Sequence, residues 1–314
     1  MAALLPRNAA PPLPDADAAT SSLSLDAAPP PLPDADAATS SLSLDAAPPP
    51  PDADDDGVAA LTAAFLADGY VAVRGVAPAG ALARGRDAAL VAFAECFDAM
   101  AARGEPVPPG VGQKGGYREI VRRHVGRYEM RRAPSRDWAA LRRIVEASRA
   151  HAVAVAALGG EAVVLGCSCV VAEAACAAQA WHVDGGHLDA ARHAAPHCVN
   201  VFLPLVDVSR GGGTEFRPGS HYLTRDLKRM MLVAKIKKTL RPPAVPVLDP
   251  GDAVLFDYRV LHRGTENTTG GPRPVFVLTL ARPWFRDLLN FPKRALFPGE
   301  ALAGDDLPGA AAVS

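Results

Sequence analysis

Between residues 163 and 281 the chain breaks into short apolar segments, and this pattern limits its fold more than any other feature. The segments are 163–172, 177–184, 198–205, 214–217, 245–248, 253–261 and 275–281. Gly, Pro and Asp separate them, apart from a basic insert near 222–241. Short apolar runs bounded by turn residues read as strands. A succession of them predicts an all-β sandwich or barrel core.

The residues before this core have helical periodicity. Residues 58–67 predict a short helix with Leu61, Phe65 and Leu66 on its apolar side, and Gly69 ends it. Residues 70–75, Tyr-Val-Ala-Val-Arg-Gly, predict a strand. Residues 79–103 predict a long helix, apolar at Leu82, Leu90, Phe93 and Phe97. The Gly- and Pro-rich stretch 104–116 reads as a loop. Residues 138–158 predict a second long helix, closed by Gly159 and Gly160. These helices are expected to lie outside the β core.

The first 56 residues are different in kind. A 19-residue unit that starts at Pro12 recurs without change from Pro31, built from Pro, Ala, Ser, Leu, Thr and Asp, with no aromatic residue. Such a segment cannot bury enough apolar surface to offset the entropy of ordering it. The expected organisation is a disordered tail over 1–56, one domain over 57–290 and a C-terminal tail over 291–314. Within the domain, 57–160 is helical and 161–290 forms the β core.

Charge is unevenly spread. Residues 1–56 hold ten Asp and one Arg, so a chain of net charge −1 carries about +8 in the rest. Residues 117–149 alone hold ten Arg against four acids. That stretch reads as a solvated helical surface, or as a field that attracts an anionic substrate. It lacks the interleaved aromatics of a nucleic-acid binder, so no nucleic-acid partner is expected. No apolar run is long enough to span a membrane, and the N-terminus has no secretory pattern. A cytoplasmic protein without a membrane partner is the expectation. The five Cys are odd in number and match no zinc spacing, so they read as buried thiols. Oligomeric state is not legible.

Chemistry concentrates in Trp181-His182-Val183-Asp184-Gly185-Gly186-His187. On a strand, His182 and Asp184 project from one face. His262, read as the end of the strand 253–261, supplies a third donor. Two His and one carboxylate leave open positions on an octahedral ion, as non-haem Fe(II) oxygenases require. Arg273 follows eleven residues later, where a guanidinium could grip a carboxylate through two hydrogen bonds. A His-x-Asp triplet alone says little; the ordered combination on predicted strands carries the reading.

With these residues in view, the chain resembles the phytanoyl-CoA dioxygenase family of Fe(II)/2-oxoglutarate oxygenases over about Leu61 to Asp287. The resemblance rests on Asp68-Gly-Tyr-Val-Ala-Val-Arg-Gly75, Gln179-Ala-Trp-His-Val-Asp184, the Pro-Gly-Ser-His turn ending at His221, His262 and Arg273. It implies a mainly β fold with flanking α-helices, a double-stranded β-helix of jelly-roll, cupin-like type. It implies iron on His182, Asp184 and His262, and 2-oxoglutarate anchored by Arg273. Asn200, Thr214 and Gln179 become candidates for the cosubstrate pocket. Dioxygen is the co-oxidant, and ascorbate an accessory reductant. The implied reaction hydroxylates a small molecule and releases succinate and carbon dioxide, since Asp184 stands where halogenating relatives have a small residue. The position two after Arg273 is Val275, where many related oxygenases carry Ser. A non-catalytic jelly-roll binding protein and a cupin-like dioxygenase without a keto acid are the competing readings. Of the other histidines, His187 is a candidate substrate contact and His221 a turn residue, while His124 and His151 read as surface. Gly185 and Gly186 are expected to permit a tight reversal.

Overall fold

The computed structural model describes residues 55–300 and 302, except 106, 109, 113, 114, 133–135, 190, 210, 211, 288 and 289. The expected disordered tail lies outside them, apart from Asp55 and Asp56, which begin the first helix.

Nine strands and five helices follow in chain order among the described residues. They are α1 (Asp55–Asp68), β1 (Tyr70–Val73), α2 (Ala79–Ala101), β2 (Ile120–His124), β3 (Arg127–Met130), α3 (Arg136–Glu146), α4 (Arg149–Ala157), β4 (Val163–Ala172), β5 (Cys198–Pro204), β6 (Thr214–Phe216), α5 (Leu227–Ile236), β7 (Ala253–Asp257), β8 (His262–Gly264) and β9 (Arg273–Ala281). Seven strands make an antiparallel sheet in the order β1-β7-β5-β9-β4-β3-β2, and β6 pairs with β8 in a small second sheet. The mainly β, jelly-roll fold class is therefore as expected, although neither sheet closes into a barrel.

The period of two along the central strands decides what faces what. Val199, Val201 and Leu203 of β5, Leu255 of β7 and Phe276, Leu278 and Leu280 of β9 join the core shared with the helices. Val254 and Phe256 face the other way and pack with Phe216 and Val260. Every residue of β7 is buried, because a central strand covered on both faces reads as an unbroken apolar run. The helix α2 buries Ala81, Leu82, Gly85, Ala89, Ala92, Cys96 and Met100. This stripe of mostly small residues includes the expected Leu82 but not Leu90. Phe93 and Phe97 lie at its edge, with ring centroids 5.5 and 5.1 Å from Tyr128.

Several expectations are corrected. The Arg-rich stretch 117–149 is only partly helical: α3 and the start of α4 fall within it, but 120–130 is the β2–β3 hairpin, which extends the large sheet past β4. The predicted helix 138–158 is two helices, since Ala147 and Ser148 lie outside α3 and α4 and the extended backbone of Ser148 restarts the chain. Residues 177–184 form no ladder; only His182 bridges, to His262. Residues 245–248 form no strand. The strand at 253 stops at Asp257, a turn follows, and His262 opens β8 instead of closing β7. Part of the segment read as a C-terminal tail is packed: Leu296 is 2% exposed within the main core. Its amide donates to Glu119 at 2.7 Å.

The basic insert forms α5, capped where the Asp226 carboxylate accepts the Arg229 amide proton at 3.3 Å. The five Cys are unpaired and buried, as expected, and burial pushes the Cys96 and Cys167 thiols up to about 12.

Candidate metal centre

His182 and Asp184 share one segment and His262 comes from another, and backbone bonds set their spacing. His182 and His262 exchange both backbone bonds at 3.0 Å, which places their rings side by side with centroids 4.4 Å apart. The Asp184 amide donates to the Tyr258 carbonyl at 2.9 Å, so the β7–β8 turn ties down the backbone that carries the carboxylate. One ligand atom from each residue lies within 4.8 Å of the others, a spacing that fits one metal ion. Asp184 Oδ1 is 3.9 Å from His182 Nε2 and 3.5 Å from His262 Nε2.

Hydrogen bonds choose the ring atoms that face inward. His182 Nδ1 lies 2.9 Å from the Ala180 carbonyl, and His262 Nδ1 lies 3.1 Å from the Val260 carbonyl. A carbonyl can only accept, so Nδ1 carries the proton and the Nε2 lone pair is left for a metal. Burial holds His262 below the usual histidine range against the pull of Asp184, which keeps the ring neutral. The other carboxylate oxygen is also committed. Asn200 Nδ2 donates to Asp184 Oδ2 at 2.7 Å, and Thr279 Oγ1 donates to Asn200 Oδ1 at 2.7 Å. Asn200 on β5 and Thr279 on β9 are direct register partners.

The turn that carries Tyr258 rests on a buried ion pair. Arg259 donates to Asp257 through Nε at 2.8 Å and Nη2 at 2.6 Å, and both side chains are about 1% exposed. Breaking such a pair from one side costs about 3–5 kcal/mol, because it strands a buried charge. His187, His193 and His221 cluster beyond it, away from the cavity described next. Burial, with Arg259 adding to it, pulls His187 down to about 4 and His193 down to about 3. His187 bonds Thr224 at 2.9 Å and is not among the residues that line that cavity. His221 is a turn residue as expected, bonded to the Leu66 carbonyl at 3.1 Å. Gly185 is needed for a reason other than a left-handed reversal: an added Cβ would lie 2.7 Å from Tyr258 Cδ2.

A cavity of about 780 Å³ opens over the three residues, between the large sheet and the β6–β8 pair. Asn200, Thr214, Gln179 and Arg273 all line it. Gln179 is fixed at its mouth, since its Oε1 accepts from the Gly264 amide at 3.1 Å. Arg273 is 2% exposed and, among the described residues, donates only to the carbonyls of Thr265, at 3.1 Å, and Glu266, at 3.3 Å. Arg127, not singled out in the sequence, is 3% exposed and donates to the same Thr265 carbonyl at 2.9 Å. Neither guanidinium forms an ion pair with a carboxylate among the described residues. Burial and the Arg127 charge pull Arg273 down to about 10, which still leaves it cationic at neutral pH. Two buried like charges on one carbonyl create a local demand for an anion. Gly264 makes room for them, because a Cβ there would fall inside the Arg127 guanidinium. The signal for Arg127 was present: Arg127, Glu129 and Arg131 alternate with Tyr128 and Met130, a strand pattern inside an Arg-rich stretch.

Residues 65–275 match the family model described as Phytanoyl-CoA dioxygenase (PhyH). Among solved structures, AviO1 from Streptomyces viridochromogenes Tue57 is 24% identical, with 73% of this chain and 96% of that one covered and a TM-score of 0.51. The epimerase SnoN in complex with Fe3+, alpha ketoglutarate and nogalamycin RO is 20% identical, covering 79% and 98%, at a TM-score of 0.47. HygX from Streptomyces hygroscopicus, with nickel, 2-oxoglutarate and hygromycin B bound, is 15% identical, covering 72% and 88%, at a TM-score of 0.46.

Proposed function

Because this chain belongs to the phytanoyl-CoA dioxygenase family, we propose that it hydroxylates a C–H bond of a small-molecule substrate at an iron held by His182, Asp184 and His262. It is a 2-oxoglutarate-dependent enzyme, and iron, 2-oxoglutarate and dioxygen are its cofactor and cosubstrates. The observation that carries the site assignment is the convergence of two Nε2 lone pairs and one carboxylate oxygen at the floor of the cavity.

The donor set suits iron: two neutral imidazoles and one carboxylate leave part of an octahedron open. Bound there, iron with 2-oxoglutarate and dioxygen supplies the oxidant while the keto acid becomes succinate and carbon dioxide. The chain's own residues do the rest. Arg273 and Arg127 take the distal carboxylate of 2-oxoglutarate, whose charge offsets their mutual repulsion. Asn200 holds Asp184 Oδ2, so that Oδ1 stays turned to the metal. Thr214 and Gln179 border the same space, and the apolar walls formed by Val254, Val275 and Val277 exclude water.

The Asn200→Ala protein is expected to lose its grip on Asp184 without losing its fold. Residues that orient ligands are worth about 10–100-fold in metal affinity, and we expect a loss of that order. An anaerobic Fe(II) titration measures it, and an unchanged affinity would remove Asn200 from this role. The function itself is tested by succinate release from the iron-loaded protein across matched sets of candidate substrates. Coupled formation of succinate and a hydroxylated product supports the reading. Iron and 2-oxoglutarate binding with no turnover on any substrate set would favour a binding protein that kept the fold.

A further inference from the structure

The hairpin β2–β3 carries a feature that the metal centre does not use. The pairing of β2 with β3 shifts register between Arg122 and His124, so Arg123 has no partner across the ladder. A bulge of this kind re-aims side chains, and bulges gather beside active sites. Here Arg123 and His124, although consecutive, both line the cavity.

The Arg123 side chain is held at one edge only. Its Nε donates to Glu129 Oε2 at 2.7 Å, and Glu129 Oε1 accepts from Ser168 Oγ at 2.7 Å. Both carboxylate oxygens of Glu129 are thereby used, and among the described residues Arg123 Nη1 and Nη2 have no hydrogen bond. The side chain is 21% exposed. Its guanidinium lies 5.1 Å from the centre of the Phe291 ring, and that of Arg131 lies 5.0 Å from the same ring. Among the described residues Arg131, two residues after Glu129, forms no ion pair, and neither does Lys293, which also lines the cavity. Arg123 is also near enough to the metal centre for the Asp184 charge to act on it. The cavity wall as a whole carries seven Arg or Lys side chains and three carboxylates, of which Asp184 belongs to the metal.

A guanidinium with its Nε edge tied and its Nη edge free presents a two-pronged fork. We propose that Arg123, supported by Arg131, recognises an anionic group on the substrate, a carboxylate or a phosphate. The inference rests on the proposed oxygenase site and names the substrate class that this site takes. Arg273 and Arg127 serve the cosubstrate, while Arg123 and Arg131 serve the substrate from the hairpin side. Phe291, in cation–π contact with both guanidiniums, keeps them oriented.

The test is equilibrium binding to the anaerobic Fe(II) protein saturated with 2-oxoglutarate. The probes are octanoate, octyl phosphate and the neutral 1-octanol, whose chain suits the apolar walls. At least one anion is expected to bind ten times more tightly than octanol, and the better of the two identifies the head group. Arg123→Gln and Arg131→Gln should each weaken that anion about tenfold or more while leaving octanol unchanged. Arg123→Lys should restore part of the loss. The affinity for 2-oxoglutarate, measured on the same samples, should not move in any variant. Equal binding of all three probes, or no binding of either anion, would overturn the proposal. So would a loss of 2-oxoglutarate affinity in Arg123→Gln, which would make Arg123 part of the cosubstrate site. A wild-type protein that fails to bind iron and 2-oxoglutarate would instead refute the oxygenase reading, a separate result.

Discussion

The His262→Ala protein is expected to form no measurable succinate from 2-oxoglutarate, a loss of more than about 10³-fold. The scale follows from the site. Residues that only orient a metal ligand cost about 10–100-fold when removed, and His262 is a ligand in the proposed set. It is also the most buried of the three, at 4% side-chain exposure against 36% for His182 and 24% for Asp184. Water cannot easily replace its Nε2 at the floor of the cavity. The backbone exchange with His182 does not involve the side chain, so the bridge and the fold should survive. Anaerobic Fe(II) titration and succinate release, with circular dichroism as a control, check this. His182→Ala and Asp184→Ala should behave alike. Turnover close to wild type in all three would sink the assignment.

Arg273→Gln should act on the cosubstrate alone. Truncating one side of a buried, hydrogen-bonded charge pair costs about 2–5 kcal/mol, roughly 30- to 4,000-fold in a dissociation constant. We expect the KM for 2-oxoglutarate to rise within that range, with iron affinity unchanged. The upper end requires that Arg127 cannot take over. Both guanidiniums donate to the Thr265 carbonyl, so Arg127 should retain part of the binding and hold the loss toward the lower end. Arg273→Lys should recover little, because a point charge does not reproduce the fork. In the absence of 2-oxoglutarate, the Arg273→Gln protein should melt no lower than wild type, since one of two like buried charges has gone. A KM equal to wild type would place the distal carboxylate elsewhere.

The strands 163–172 and 275–281 were legible because they are long, apolar and bounded by turn residues, and they emerge as the neighbours β4 and β9. The hairpin 120–130 was not. Its Arg content suggested a solvated helix, whereas Arg127 and Glu129 are polar because they face a cavity, not bulk water. A sequence does not distinguish a polar residue turned to solvent from one turned to a polar cavity. The single helix read over 138–158 failed for a related reason: the break at Ser148 has no Gly or Pro to announce it. The packed segment at Leu296 was missed because its fixed point is Glu119, far away in the chain.

His182, Asp184, His262 and Arg273 could be named from the sequence because their chemistry is uncommon in combination and their order is fixed along the chain. His182 and Asp184 are not joined as neighbours on one face of a strand. A single bridge to His262 and one bond from Asp184 to the β7–β8 turn join them instead, and both are long-range. Residue types and their order are local properties, and they sufficed for the fold class and for naming the candidate donors. The pairing of Arg127 with Arg273, the Thr279–Asn200–Asp184 chain and the free edge of Arg123 depend on sheet register. Register is decided by which faces are buried together, and only the folded chain contains that information.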